Sequence, residues 1–266
     1  MNYENVKVEL EKWQKAYKEF FNHNTDDKHS FVLEIAPPAA EEEILIKEKE
    51  LGIKLPKALR EFFLNVSSRI CSNISFELED EKELPYEFYG LINYTQSVVS
   101  LQELYITHDF DDIEQGEYGK VFQNKLDILP IGDGDYVSID LTSKSGESVV
   151  WVANEENEAW EIAPNFIDFF DNWLKVGLAD LTNSLIVFCS VDHPLDGNSE
   201  NAKLWRKIMF SNANERKKVV DEYNEVQGRT TTLSKKYSRD LSNYILVGIA
   251  VLFLILLLIT FIQYKF

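Results

Sequence analysis

Residues 244–264 carry no charged side chain, and within the run 245–262 only Gly248, Ala250 and Thr260 interrupt Leu, Ile, Val and Phe. A helix of that length spans the hydrocarbon core of a bilayer, whereas apolar helices buried in a protein core are usually shorter. Its 15 large aliphatic and Phe residues sum to about −5 to −9 kcal/mol on insertion scales. The run is therefore expected to be one transmembrane helix over 242–264, with Leu252, Leu256 and Phe261 in the lipid and Tyr244 and Tyr264 at the two interfaces. Lys235, Lys236 and Arg239 precede it and only Lys265 follows, which predicts a single-pass, tail-anchored protein with its N-terminal body in the cytoplasm.

The rest of the chain has a different character. Of 266 residues 45% are hydrophobic and 13% aromatic, enough apolar surface to offset the entropy of ordering a globular body. The net charge is −18, unevenly spread: up to Ser199 there are 16 basic against 39 acidic residues, and beyond it 11 against 6. A body of that sign repels nucleic acid and anionic lipid and speeds encounters with cationic proteins. Two cysteines, Cys71 and Cys189, make no disulfide framework or metal spacing. Glu4, Lys7, Glu9 and Glu11 stand where a secretory signal would need an apolar stretch.

Local patterns predict the elements. Val6, Leu10, Trp13, Tyr17 and Phe20 recur every three or four residues, the spacing of one helix face packed on a body. A polar loop over 22–30 and a short apolar run over 31–35 follow. Pro38 and three glutamates suit the start of a helix that Gly52 can end, and a second helix from Pro56 directs Leu59, Phe62, Phe63 and Val66 inward. Strands are expected over 73–78, 86–94, 126–131, 136–141, 148–153 and 159–162, with a helix over 97–106 between them. Pro164 opens a helix that buries Phe166, Phe169, Phe170, Trp173 and Leu174. Residues 178–190 and 201–226 read as helical. The expected fold is α+β, a mainly antiparallel central sheet flanked by helices with a C-terminal helical extension and one transmembrane helix. Its parts would be an N-terminal helix and loop (1–30), the α+β domain (31–176), the helical extension (177–226), a linker (227–241) and the membrane helix (242–264).

Three segments carry a resemblance: PPAAEEEILIKEKELGIKLPKALREFF at 37–63, ILPIGDGDYVSIDL at 128–141, and VVWVAN at 149–154 followed by IAPNFIDFFDNWL at 162–174. In order and spacing they resemble the SUKH superfamily, over about 31–175. That superfamily holds the immunity proteins of bacterial toxin systems and fungal cell-wall regulators. The resemblance implies an immunity protein that binds and neutralises a cognate toxin, often a nuclease. The alternative is a membrane-tethered regulatory scaffold.

Since a nuclease cleft is basic, an acidic face can fill it by imitating phosphate. On charge, the candidates for that face are Glu77, Glu79, Asp80 and Glu81, then Asp109, Asp111 and Asp112, then Asp133 and Asp135, and finally Glu155 and Glu156. Asp133 and Asp135 fall short of the register of a calcium loop. The four histidines, His23, His29, His108 and His193, are scattered, and no nucleophile elbow, phosphate loop or zinc-protease helix occurs. A non-enzymatic protein without metal or cofactor is expected. Its partners would be a basic toxin domain and, through the anchor, the bilayer, with no direct contact to nucleic acid.

Overall fold

The computed structural model describes residues 1–21, 30–75, 84–92, 95–106, 121–131, 134–153, 157–189 and 194–227. The apolar run at 245–262 lies outside them, and no helix among the described residues is long and apolar enough to cross a membrane. The chain divides into two compact units, Met1–Lys217 and Lys218–Phe266. The first holds both sheets and helices α1 to α6.

Helix α1 (Tyr3–Phe21) buries the expected stripe of Val6, Leu10, Trp13, Tyr17 and Phe20. Strand β1 (Ser30–Ile35), helix α2 (Glu41–Leu51) and helix α3 (Lys57–Asn65) follow. Glu41, Glu42 and Glu43 occupy the first turn of α2, where they complement its dipole, and the Glu43 carboxylate accepts the Ala40 N–H at 2.7 Å. Gly52 ends the helix at φ +70°, the left-handed cap that a residue without Cβ adopts readily.

The α+β class and the antiparallel pairing hold, but the strands make two sheets rather than one central sheet. Strands β1, β2 (Arg69–Ser75) and β3 (Thr95–Ser100) form a three-stranded sheet in that order. Strands β4 (Tyr105–Ile106), β5 (Lys125–Ile131), β6 (Asp135–Asp140), β7 (Val149–Ala153) and β8 (Glu158–Ala163) form a five-stranded meander. The switch falls at residues 101–104, where a 3-10 turn at Leu101–Glu103 carries the chain from β3 to β4. The expected helix over 97–106 is therefore β3, this turn and β4. Leu101 and Leu104, both buried, sit three apart and imitate helical spacing, while Val98 and Val99 favour the strand.

The expected strand over 86–94 is also corrected. Residues Tyr86–Ile92 form a 3-10 helix that buries Phe88, Leu91 and Ile92. Their three- and four-residue spacing puts them on one helical side, and aromatic content alone misrepresents the segment. Strand β2 begins at Arg69, four residues before the expected start. Helix α4 (Phe166–Lys175) buries all five expected residues, and Phe62 of α3 meets Phe166 and Phe170 edge-on at 4.8 and 4.7 Å. The stretch 178–190 yields α5 (Leu181–Phe188), and 201–226 is two helices, α6 (Glu200–Met209) and α7 (Ala213–Val226). Asn212 makes the break, its side chain accepting the Glu215 N–H at 3.1 Å as a helix cap.

Candidate partner-binding surface

Two junctions hold the module's surfaces in place. At the corner between α2 and α3, Glu48 is buried, and its carboxylate accepts the Leu55 N–H at 3.1 Å and Lys54 Nζ at 2.7 Å, with Arg60 Nε at 3.5 Å. Burial alone would raise this carboxyl, yet the Lys54 and Leu55 hydrogen bonds and the charges of Lys54 and Arg60 together hold it below its ordinary range. The neighbouring Lys47 is buried too, donating to the Gln102 carbonyl at 2.9 Å and to Glu50 at 3.0 Å. From the β6–β7 hairpin, Glu147 accepts the N–H groups of Lys57 and Ala58 at 2.6 and 2.9 Å, placing a carboxylate at the positive end of α3.

The second junction is the turn after α4. Its five successive carbonyls, residues 175 to 179, each accept a side-chain donor: Arg206 at 3.2 Å, Trp205 at 3.1 Å, Tyr17 at 3.3 Å, Ser72 at 2.9 Å and Trp173 at 2.9 Å. A buried carbonyl needs such a donor. Here α1, β2, α4 and α6 supply them. Burial pushes the Tyr17 phenol upward, so it remains a neutral donor. Gly177 has φ +78°, and a Cβ there would fall 2.5 Å from the Trp13 ring.

On the five-stranded sheet, the register puts Lys125, Asp127, Tyr136, Ser138, Asp140, Val150 and Val152 on one face. Val150 and Val152 cluster with Phe122, Val121 and Tyr136. The polar residues are paired: Ser138 donates to the buried Asp127, and Lys125 lies 3.3 Å from Asp140. Burial would raise the Asp140 carboxyl, but the Thr142 hydroxyl and N–H and the Lys125 ammonium hold it below the usual range. Burial, then Tyr136 and Asp127, push the Tyr105 phenol upward. The register of β5 against β6 shifts at a bulge between Asp127 and Leu129, and residues 125 to 129 are all buried.

Of the acidic residues expected to form a partner face, Asp135 is within the described structure. It begins β6, and its carboxylate accepts the Trp151 indole N–H at 2.8 Å, with Trp160 next to Trp151 at 5.3 Å between ring centroids. Asp135 thus belongs to a half-buried acid and tryptophan group. Glu77, Glu79, Asp80, Glu81, Asp109, Asp111, Asp112, Asp133, Glu155 and Glu156 lie outside the described residues, as do the four histidines and Tyr244, Leu252, Leu256, Phe261 and Tyr264 of the expected anchor.

The carboxylates that organise the described structure, Glu48, Asp127, Asp140 and Glu147, were not among the expected site residues. Glu48 had a signal, since it opens the Glu-x-x-Leu-Gly-Ile-x-Leu-Pro sequence at the corner. Glu147 had none, because its helix lies about 90 residues away. Burial raises the Cys189 thiol to about 12, which keeps it protonated and a poor nucleophile at neutral pH. Among the described residues no group of three or more His, Cys, Asp or Glu could hold a metal ion.

These features define an acidic α+β module of two antiparallel sheets, with its helix corner and hairpin tied together by carboxylates. The family model of the SMI1 / KNR4 family (SUKH-1) matches residues 38–172, just over half of the chain, and the chain belongs to that family. The match runs from the approach to α2 into the last turn of α4, and leaves α1, β1 and α5 to α7 outside it. No curated protein matches the chain.

Proposed function

We propose that this protein is a non-enzymatic immunity protein that binds a cognate toxin, foremost a nuclease, and blocks its basic active surface from the cytoplasmic side of a membrane. Membership of the SMI1 / KNR4 family is the observation that carries this reading, because the family points to an immunity-like role exercised on a protein partner. The net charge of −18 supports it, since an acidic body is drawn to the cationic cleft that a nuclease needs for phosphates. The apolar run at 245–262 supports the membrane part. Tethering would raise the inhibitor's local concentration where a toxin enters the cell.

Co-expression with a toxin encoded beside this gene tests the reading: growth should be rescued, and toxin and immunity protein should co-purify with an association rate that falls as salt rises. Deleting residues 241–266 should weaken protection in cells without changing affinity for the toxin. Equal protection by the shortened chain removes the membrane part and leaves neutralisation standing. The family also admits a regulatory scaffold, and the absence of any toxin gene nearby would favour that role.

A further inference from the structure

Helix α2 is set into the fold with its chemistry reversed. The positions it buries, at three- and four-residue spacing, are Ile44, Lys47 and Glu48, while the aliphatic pair beside them points outward, with Leu45 45% and Ile46 68% exposed. A turn of about 100° separates successive helical residues, so a modest rotation about the axis would bury an aliphatic side chain in place of a charged one. The rotation is prevented by polar contacts: Lys47 to the Gln102 carbonyl, and Glu48 to the Leu55 N–H and Lys54. The fold thus places a lysine and a glutamate inside and holds two adjacent aliphatics in water.

A single exposed aliphatic is ordinary. Val8 of α1 and Ile186 of α5 are exposed without an exposed large aliphatic beside them in sequence. Leu45 and Ile46 are neighbours and are framed by charge. Helix α2 carries five glutamates against two lysines, and Glu41, Glu42, Lys49 and Glu50 lie on its exposed sides. An apolar centre within an acidic rim is complementary to an apolar patch bordered by Lys and Arg.

We propose that the outer face of α2, centred on Leu45 and Ile46, is the docking surface for the cognate toxin, engaging an apolar patch at the edge of its basic cleft. This rests on the immunity reading and deepens it: the aliphatic pair supplies affinity and Glu42 supplies steering, whereas Glu41 is held by Arg60 and Glu50 by Lys47. None of its residues is among the acidic residues expected on charge alone.

The test uses the full chain, in detergent and in cells, with the toxin domain encoded beside it as the probe. The double variant Leu45→Ser, Ile46→Ser should bind that domain about 30-fold or more weakly and lose protection, while its unfolding midpoint stays that of the wild type. Ile186→Ser, which removes a comparably exposed aliphatic from α5, should leave binding unchanged. Glu42→Gln should slow association and reduce its salt dependence. If the wild type binds and protects, and the double variant does so equally or Ile186→Ser loses as much, the α2 surface is overturned while the immunity reading stands. If the wild type neither binds nor protects, the immunity reading fails and takes the docking surface with it.

Discussion

The corner between α2 and α3 and the turn between α4 and α5 each join two helices, but they draw on different sources. The first is closed mainly by near neighbours, Glu48 reaching the Leu55 N–H seven residues on, beside Lys54 and Arg60, with Glu147 of the β6–β7 hairpin added at the start of α3. The second is closed from afar: Tyr17 lies 160 residues from Gly177, and Ser72 lies 106 residues from Leu178. Both Gly177 and Leu178 hold positive φ, +78° and +50°, which for Leu178 costs about 1–2 kcal/mol. The Glu48 contacts lie within one segment and form wherever that segment forms. A turn strained in this way persists only while distant elements hold it. The family match covers the first junction and stops at residue 172, just before the second. Yet α1 and α6, outside the match, supply donors to the second turn.

The contrast can be broken in three places. The largest effect is expected at Trp205, fully buried, with its indole on the Val176 carbonyl. Trp205→Ala should lower stability by about 4 kcal/mol in urea denaturation followed by tryptophan fluorescence. If it does not, α6 is an appendage rather than part of the fold. Next is Gly177→Ala, which adds a left-handed penalty to a clash with the Trp13 ring; a loss on the order of 3 kcal/mol follows. The same change at Gly52, also at positive φ but with open space around its Cβ position, should cost only about 1 kcal/mol.

Glu48→Gln falls between the two glycine changes, at about 2 kcal/mol at pH 7 for the loss of charge-assisted bonds. This effect carries a pH signature. The folded Glu48 carboxyl sits below its ordinary value of 4.5, so its contribution is complete above that value and drains away as pH falls through the folded value. The wild type and Glu48→Gln should therefore converge in stability at acid pH. A constant gap would mean that Glu48 acts through packing and not through its charge.

Legibility in the sequence follows the same division. The faces of α1 and α4, the cap at Gly52 and the hairpin strands β5 to β8 were readable because apolar spacing and turn residues lie within one segment. Residues 86–94 and 97–106 misled, since Leu101 and Leu104 obtain their spacing from a turn and not from a helix, and Phe88, Leu91 and Ile92 lie on a short 3-10 helix. Of the expected acidic site, Asp135 is placed against Trp151, an arrangement that cross-strand register creates and charge counting does not reveal. The capping of α3 by Glu147 was equally out of reach, because a carboxylate that reaches in from a distant hairpin to accept the first N–H groups leaves no mark near the helix it serves.

By itself the sequence determined the α+β class, the family, the acidic body and the apolar run near its C-terminus, all of which depend on composition and on spacing within short segments. Tertiary structure alone decided that the strands divide into two sheets, that the turn after α4 gathers donors from four elements, and that α2 turns Lys47 and Glu48 inward and Leu45 and Ile46 outward. The physical reason is the last of these in miniature. A helix is oriented by the sum of its contacts, and here Lys47 donating to the Gln102 carbonyl and Glu48 accepting the Leu55 N–H accompany the outward placement of two aliphatic side chains, an arrangement that no periodicity within α2 contains.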